Sequence, residues 1–490
     1  MRRLLVIFIL LSSPILAPLI ARADWSTPIR ISELGGGYYP QIISQGDTLH
    51  ILYENTYGYD KICYLRSTDG GDNWIDHTVL SENNGAVNIP HILRWGNNLM
   101  ALWRIYFNTG VYRLNIQYSI STNDGHTWSV PQRVFDVNWE LINFYSASSF
   151  DSLVNIILYT DWSPDTTFYS IRSLDFGQSW SDRAEIFRAA QSDIPDQVNI
   201  GNSIYFVWGG RFNLNERTEI HNIKSTNGGA SWLPNITLSD SDQYHSQMPA
   251  ITADYSTVGC TWMDFKYSPY FMTGDIFLRS CPDSGSNWTP ENQITNNHLA
   301  MISDITLSGD TIFIVWVDYR TENIWESIYA TKSTDGGLLW DEPFWIDGDT
   351  GGSSRYPSIS FSNHKAFLIW YDQILPDSPG VYFSRYDFEA DAIREDNGDN
   401  NILKKTNLSV YPNPFNSSAY IIYSSKKGGE INIYNASGQF IRSFNVEAAE
   451  EGRIVWDGKD RSGKKVATGT YFMRFLSEGN CEMVKIIYLK

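Results

Sequence analysis

The stretch Ser67-Thr68-Asp69-Gly70-Gly71-Asp72-Asn73-Trp74 decides the fold, because its pattern Ser-x-Asp-x-Gly-x-x-Trp returns at regular intervals up to Trp340. Five further copies keep Asp or Asn, Gly and Trp at the same spacing, and one of them has Cys281 in place of Ser. The six copies end at Trp74, Trp128, Trp180, Trp232, Trp288 and Trp340, which are 52 to 56 residues apart. A period of this length predicts an array of small repeated structural units.

Each copy is typical of a turn between two strands. The Asp or Asn side chain accepts hydrogen bonds from the turn's own backbone, and Gly adopts a positive φ that other residues resist. The Trp is expected to pack between neighbouring sheets, where it buries a large apolar area. Short apolar stretches flank each turn, for example residues 62–65 before the first turn, so the turns join strands of one sheet.

The other half of the repeat recurs seven times and ends in an aromatic-rich strand. Its copies span residues 40–53, 90–103, 147–159, 195–208, 249–262, 304–316 and 357–370. The first segment, Trp25-Ser26-Thr27-Pro28, resembles the segment that follows each turn, such as Trp128-Ser129-Val130-Pro131. We therefore predict that this first segment completes the last unit and closes a ring, which removes exposed sheet edges.

The predicted fold class is all-β, with a β-propeller of four-stranded blades over residues 24–387. Seven inner halves favour seven blades, and the six turns leave six blades as the alternative. The turns resemble the Asp-boxes of sialidase-like propellers, also called bacterial neuraminidase repeats. This resemblance implies that the functional loops lie on the face away from the Asp-boxes, whose central residues are structural. Those residues are Asp69, Asn123, Asp175, Asn227, Asp283 and Asp335.

Sialidases place an Arg two positions before the Pro of a Phe-Arg-Ile-Pro motif in the first blade. Here the matching stretch is Gly37-Tyr38-Tyr39-Pro40, so Tyr38 stands at the Arg position and the motif is absent. Residues at this position in several repeats are the candidates for ligand binding. They are Tyr38, Asn88, Asp193, Gln247 and Arg355.

Segments that follow the second strand of each blade supply candidates for catalysis. With Arg355 they are Arg104, Arg211, Arg320, Asp264, Asp318, Asp372 and Glu54. Arginines can clamp a carboxylate with paired planar donors, an Asp can act as an acid, and a Tyr beside Glu54 can attack an anomeric carbon. An aromatic-x-Asp that recurs in several blades is also typical of a residue that holds its own loop, and we favour that interpretation for the three Asp.

Residues 1–23 predict a cleaved secretory signal. Arg2 and Arg3 precede an apolar run over residues 4–20, and Ala21-Arg22-Ala23 is a small-x-small cleavage site. A membrane anchor is the alternative, but the run is short for a span and contains two prolines. We expect no membrane span after removal of the signal.

The tail predicts an acidic linker over residues 388–406 and a small Ig-like β-sandwich over residues 407–490. Its motifs resemble the type A carboxy-terminal sorting domain of type IX secretion. In order they are Tyr411-Pro412-Asn413-Pro414-Phe415-Asn416, Ile433-Tyr434-Asn435-Ala436-Ser437-Gly438, Val455-Trp456-Asp457-Gly458 and Gly469-Thr470-Tyr471-Phe472. The resemblance implies the secretion machinery as a partner and a secreted or cell-surface location. An Ig-like adhesion module is the alternative.

The formal net charge of −18 argues against nucleic acid and anionic membranes as partners, and leaves a cationic ligand, calcium or a neutral glycan open. Cys63, Cys260, Cys281 and Cys481 are too unevenly spaced for a disulfide framework or a zinc site, so we expect four thiols. The eight His show no metal-ligand spacing, and no cofactor motif is present. We predict neither a metal nor a cofactor.

Two functions fit these observations. The first is a non-catalytic propeller that binds a glycan or an extracellular protein through the face opposite the Asp-boxes. The second is an exo-glycosidase of the sialidase type with a displaced arginine cluster. The missing Phe-Arg-Ile-Pro motif and the seventh blade favour the first, because a shared fold does not supply a clustered set of catalytic groups.

Overall fold

A computed structural model describes most of the chain after the amino-terminal segment. The described residues are 25–32, 36–56, 60–82, 85–108, 112–135, 144–162, 165–254, 257–268, 273–282, 287–319, 325–348, 352–374, 379–388, 408–411, 418–425, 427–435, 440–477 and 480–488. The predicted signal, nearly all of the predicted linker, Asp283 and Arg320 lie outside them. Within these ranges no helix is long and apolar enough to span a bilayer. The chain divides into two compact units, one up to Phe388 and one from Glu389.

The first unit is built from antiparallel sheets that follow one another along the chain, except that β1 (Ile29–Arg30) joins the last sheet. The first three sheets are β2 (Tyr38–Gln45), β3 (Thr48–Asn55), β4 (Lys61–Ser67) and β5 (Ile75–Val79); β6 (Ala86–Trp95), β7 (Asn98–Asn108), β8 (Tyr112–Ser121) and β9 (Gln132–Arg133); and β10 (Phe144–Phe150), β11 (Leu153–Trp162), β12 (Asp165–Ser173) and β13 (Ala184–Ala189). The fourth is β14 (Gln191–Ser192), β15 (Asp196–Ile200), β16 (Ser203–Arg211), β17 (Glu219–Ser225) and β18 (Ile236–Thr237).

The remaining sheets repeat this arrangement. They are β19 (Ser246–Ala253), β20 (Val258–Asp264), β21 (Asp275–Cys281) and β22 (Asn292–Gln293); β23 (Ala300–Ser308), β24 (Thr311–Tyr319), β25 (Glu326–Ser333) and β26 (Phe344–Trp345); and β27 (Gly352–Ser362), β28 (Lys365–Ile374) and β29 (Gly380–Asp387) with β1. The inner strands β2, β6, β10, β15, β19, β23 and β27 each contact the next, and β27 contacts β2. Among the described residues the ring therefore has seven blades, as the seven inner halves predicted.

The first described residues complete the last blade. Strand β1 pairs with β29 so that Ile29 lies opposite Phe383. The backbone N–H of Ser26 donates to the carbonyl of Arg385 at 2.8 Å, and the N–H of Arg385 donates to Ser26 Oγ at 3.0 Å. Trp25 is buried between the sixth and seventh blades. The predicted closure of the ring by the amino-terminal strand is confirmed.

Five Asp-boxes lie within the described residues, and they share one set of hydrogen bonds. In the first, Ser67 Oγ donates to Asp69 Oδ1 at 2.8 Å, and the N–H of Asn73 donates to the same oxygen at 2.9 Å. The N–H of Gly71 donates to Ser67 Oγ at 2.9 Å. The Ser, Asp or Asn and Gly of the boxes at residues 121–125, 173–177, 225–229 and 333–337 are bonded in the same way.

The second Asp-box also binds its blade to the blade before it. Trp128 packs edge-on against Tyr64 of the first blade, with ring centroids 4.8 Å apart. Gly125 has a φ of 86°, and a Cβ at this position would lie 1.8 Å from the Tyr64 hydroxyl. Tyr64 is itself buried and bonded to His50 Nδ1 at 2.7 Å. Only Gly therefore combines the required backbone conformation with this close approach.

The second unit is a sandwich of two antiparallel sheets. One contains β30 (Leu408–Tyr411), β31 (Ala419–Ser425) and β34 (Ala449–Trp456), and the other contains β32 (Gly429–Asn435), β33 (Phe440–Val446), β35 (Gly469–Ser477) and β36 (Asn480–Tyr488). Trp456 and Met473 are fully buried in its core. The Ig-like sandwich predicted for the tail is confirmed. Residues 412–417 and 436–439, which carry part of the sorting-domain resemblance, lie outside the described residues.

Substitution of Gly125 by Ala tests the contact between blades against a matched glycine. Gly46 also has a positive φ, of 58°, but a Cβ there meets nothing within 4 Å. We expect Gly46→Ala to lower the free energy of unfolding by about 1 kcal/mol through backbone strain alone. Gly125→Ala should lower it by more than about 3 kcal/mol, because overpacking against Tyr64 adds to the strain. Urea unfolding measures both, and equal losses would contradict this account of the interface.

Candidate functional site

A cavity of 190 Å³ lies at the centre of the propeller, where the inner strands begin. The five described Asp-boxes lie at the other face, because each of them binds the turn that ends the inner strand of its own blade. For example, the N–H of Gly70 donates to the carbonyl of Asp47 at 2.8 Å. The cavity thus opens on the face that the sequence predicted to be functional.

All seven inner strands contribute to the cavity wall. The lining residues fall within 39–41, 89–91, 144–145, 194–196, 248–250, 302–304 and 356–358. Five of these segments contain a non-glycine residue in the left-handed region, with φ between 42° and 54°, beside a register shift of the strand. These residues are Tyr39, Ile89, Met248, Ile302 and Tyr356. Bulges of this kind re-aim side chains, and here they surround the entrance of the cavity.

Tyrosines from the first and last blades gather at one side of this entrance. The rings of Tyr38 and Tyr371 stack with centroids 4.3 Å apart, and the Tyr371 hydroxyl donates to the Tyr38 hydroxyl at 3.1 Å. The rings of Tyr39 and Tyr356 lie 4.5 Å apart. Tyr38, Tyr39 and Tyr356 are half-buried. We call these four residues the tyrosine cluster; the sequence analysis singled out only Tyr38 among them.

Glu54 and Arg104 lie behind the tyrosine cluster. Glu54 is 7% exposed, and burial, with a smaller effect of Asp60, raises the pKa of its carboxyl to about 8 although Arg104 opposes the rise. The Glu54 side chain is therefore mostly neutral at pH 7. Arg104 donates from Nε to Asn88 Oδ1 at 2.9 Å, and its guanidinium lies 4.8 Å from the ring centroid of Tyr106. Two predicted candidates, Asn88 and Arg104, thus contact each other.

The described candidate arginines bind separate groups. Arg355 Nε donates to Glu326 Oε2 at 2.5 Å, and its side chain is 45% exposed. Arg211 Nη1 donates to the carbonyl of Leu214 at 2.9 Å, within its own loop. Arg104 contacts Asn88, as described above. Arg355, Arg211 and Arg104 thus each donate to a different protein group.

The three candidate Asp residues at the ends of second strands are buried, and each accepts a hydrogen bond from its own blade. Asp264 accepts from Ser246 Oγ at 2.8 Å and from the N–H of Lys266 at 2.7 Å. Asp318 accepts from Asn297 Nδ2 at 2.7 Å. Asp372 accepts from Ser354 Oγ at 3.1 Å. This is the geometry of residues that hold their own loops.

Asp193 connects the fourth and fifth blades. Its Oδ1 accepts from the N–H of Gly209 and its Oδ2 from the N–H of Met248, both at 2.8 Å. Burial raises the pKa of this carboxyl to about 6. The equivalent Gln247 of the next blade is half-buried. Asp193 therefore fixes the backbone of a lining segment rather than presenting an unbonded carboxylate.

Two carboxylates that the sequence analysis missed, Asp196 and Asp304, form part of the cavity wall. Asp196 accepts from the N–H of Gln197 at 2.8 Å and from the N–H of Ile251 in the next blade at 2.9 Å. Asp304 accepts in the same way from the N–H of Ile305 and, in the seventh blade, Ile359, both at 2.8 Å. Burial raises the pKa of Asp196 to about 7 and that of Asp304 to about 6. Their position in the repeat could have identified them from the sequence, because each stands at the start of an inner half, one residue after Pro195 or after Ser303, which replaces that Pro.

The described residues offer no group of three or more His, Cys, Asp or Glu arranged to hold a metal ion. Cys63, Cys260 and Cys281 are buried, and burial raises the pKa of the Cys260 thiol. The Cys481 side chain lies outside the described residues. The polar chemistry of the site is therefore that of tyrosine hydroxyls, carboxyls and guanidinium groups.

Comparisons with known proteins agree with both folds. The family model described as FlgD Ig-like domain matches residues 419–475. No curated protein matches the chain. A solved polysaccharide lyase, a ulvan lyase, is 10% identical with a TM-score of 0.52, over 72% of this chain and 95% of that chain.

Two further solved structures are similar. The ulvan lyase bound to -[GlcA(1-4)Rha3S]- is 9% identical with a TM-score of 0.53, again over 72% of this chain and 95% of that chain. A sialidase of Trypanosoma rangeli in complex with sialic acid is 9% identical with a TM-score of 0.43, over 95% of this chain and 87% of that chain. At these identities the likeness to the ulvan lyase concerns the fold alone.

The two wall carboxylates give stability a defined pH dependence. Their folded pKa values of about 7 and about 6 exceed the ordinary value of 3.8, so the folded chain binds more protons there between pH 4 and pH 7. Their contribution to the free energy of unfolding therefore falls as the pH rises through this window. The free energy of unfolding of the double variant Asp196→Asn, Asp304→Asn, minus that of the unmodified chain, should therefore be more than about 1 kcal/mol larger at pH 8 than at pH 5.

Chemical denaturation of both proteins at each pH measures this difference. The histidines are the same in both proteins, so their contribution to the pH dependence cancels. Asp175→Asn is the matched control, since Asn123 and Asn227 occupy the same box position in other blades. The control should show no such gain. A difference that stays constant from pH 5 to pH 8 would refute the assignment.

Proposed function

We propose that the propeller binds a saccharide at the central cavity, on the face opposite the Asp-boxes. The tyrosine cluster carries the proposal: three half-buried rings, Tyr38, Tyr39 and Tyr356, meet beside a concave entrance. Tyrosine offers both an apolar ring face and a hydroxyl, which suits the apolar faces and hydroxyl groups of a sugar. A concave site of aromatic residues with a few polar groups is the usual form of a small-ligand site.

The similarity to a saccharide-bound propeller-like structure supports this proposal at the level of fold. The ulvan lyase was solved with -[GlcA(1-4)Rha3S]- bound, and its TM-score of 0.53 covers 72% of this chain. A fold used by one protein for a saccharide is compatible with the same class of ligand here. The residues that would hold the ligand in this chain are argued from its own geometry.

Binding without hydrolysis fits the site better than sialidase-type catalysis. Arg355 is paired with Glu326, and Arg104 with Asn88, so these arginines already have partners. Burial raises the pKa of Tyr39, and the nearby Tyr356 raises it further, which disfavours the phenolate that a nucleophile needs. Glu54, mostly neutral at pH 7, is a poor base for that proton.

Replacement of one ring of the tyrosine cluster tests the saccharide proposal. A glycan array with the purified chain identifies the tightest saccharide, and calorimetry then measures its dissociation constant. Tyr356→Ala should weaken binding about tenfold or more, the loss of roughly 1.4 kcal/mol expected for one stacked ring. Tyr244→Ala is the control, because Tyr244 is 47% exposed and does not line the cavity. Equal affinities of the two variants, or no binding on the array, would contradict the proposal.

Hydrolysis is the competing outcome. A fluorogenic sialoside is incubated with the purified chain and with Arg355→Ala. Turnover by the unmodified chain that the substitution abolishes would replace the binding proposal by the glycosidase alternative. We expect no turnover by either protein, since Arg355 is paired with Glu326 and burial raises the pKa of Tyr39.

We also propose that the chain is exported, with residues 1–23 as a cleaved signal and the Ig-like unit as a type IX sorting domain. The motif order of the tail supports the second assignment, and its sandwich fold fits it. In a bacterium with this secretion system, the full chain should reach the surface or the medium with Asp24 as its first residue. A chain that ends at Phe388 should stay in the periplasm, as cell fractionation and amino-terminal sequencing will show. Equal export of both chains would point instead to an adhesion module.

A further inference from the structure

We propose that the cavity is built for a positively charged group, so that its saccharide is an amino sugar with a free ammonium. This inference rests on the proposed saccharide binding and adds the ligand's charge to it. The wall of the cavity carries carboxylates, and its aromatic rings attract cations.

The charge of the wall is the first argument. Asp196 and Asp304 both line the cavity and are half-buried, while none of the described lining residues is Lys or Arg. The two carboxylates also act on each other, since the charge of Asp304 adds to the effect of burial on the pKa of Asp196. An ammonium group bound nearby would relieve this repulsion.

The second argument is that these carboxylates are held in fixed positions and can still accept bonds. Each of the four oxygens accepts a backbone N–H, from Gln197 and Ile251 at Asp196, and from Ile305 and Ile359 at Asp304. Ser146 Oγ also donates to Asp196 at 3.5 Å, and the Ser358 side chain also bonds to Asp304. An ionised carboxylate has about four acceptor positions, so three donors leave one position for a ligand. Groups fixed in this way lose little conformational entropy on binding.

Aromatic rings supply the third argument. Tyr39, Tyr145, Tyr356 and Phe144 line the same cavity. The Tyr145 hydroxyl donates to the carbonyl of Ile89 at 2.8 Å, which holds its ring against the wall. The face of an aromatic ring attracts an ammonium by about 0.5–2 kcal/mol, more when water is excluded. A wall of rings and carboxylates therefore favours an ammonium over a carboxylate.

The charges around the cavity are only partly offset. Arg355, beside Tyr356, is paired with Glu326, whereas Arg104, beside Tyr39 and 5.6 Å from the ring centroid of Phe144, is bonded to the neutral Asn88. The net charge of −18 raises the local concentration of cations around the protein. A volume of 190 Å³ lies below the roughly 300–1,000 Å³ of pockets for drug-sized ligands, which suits one sugar unit.

The test compares two sugars that differ in this charge. Calorimetry measures the binding of glucosamine oligosaccharides and of their N-acetylated counterparts of equal length to the purified full chain at pH 7. We expect the free amine to bind at least about tenfold more tightly, a difference of about 1.4 kcal/mol. In the double variant Asp196→Asn, Asp304→Asn the ratio of the two affinities should fall towards one. The comparison of the two sugars on the unmodified chain tests the inference even if the double variant does not fold.

Each outcome separates the inference from the function on which it rests. Equal binding of the two sugars would overturn the ammonium assignment and leave saccharide binding intact. Binding of neither sugar, while other glycans on the array bind through the tyrosine cluster, would also overturn it. Silence of the whole array would instead remove the proposed function. A preference for the amine that persists in the double variant would show that these carboxylates are not its source.

Discussion

The pairing of β1 with β29 is the constraint on which the rest of the propeller depends. Each blade buries its apolar faces only against its two neighbours, so an open ring would expose one face at each end. The chain avoids this by placing its first described strand at the outer edge of its last blade, with Trp25 inserted between the sixth and seventh blades. This closure sets the number of blades, and the number of blades sets the width of the central cavity.

Closing the ring brings the starts of all seven inner strands together. These segments are polar in part, and their backbone N–H groups need partners where no further strand is available. Side chains of neighbouring blades supply them: Asp196 and Asp304 each accept from the next blade, and Ser358 accepts from the N–H of Ile42. The same contacts that fix one blade against another therefore also place acceptor groups in the cavity wall.

The repeat made most of the fold predictable from the sequence. The Asp-box turns have a local cause, since Ser67, Asp69 and Gly71 bond within a few residues of one another, and the closure followed from the match between Trp25 and Trp128. The residues of the candidate site were harder to predict from the sequence. Tyr39 and Tyr356 enter the cavity because of a bulge and a left-handed backbone conformation, and neither is visible in a spacing pattern. Asp304 acts on Asp196, two blades away, because the ring brings the starts of the inner strands together.

The wall carboxylates show how structure and binding can draw on the same residues. Burial raises the pKa of both groups, which means that each destabilises the folded state when it is ionised. A hydroxyl or amide acceptor would satisfy the same N–H groups without that cost, as Ser358 does for Ile42. Asp193 has the same cost in its contact with Gly209 and Met248, and what distinguishes Asp196 and Asp304 is that they line the cavity. A cation bound in the cavity would offset the desolvation of these two carboxylates. The free energy that their ionisation costs the unliganded propeller would then be recovered on binding and would add to the affinity for a charged ligand.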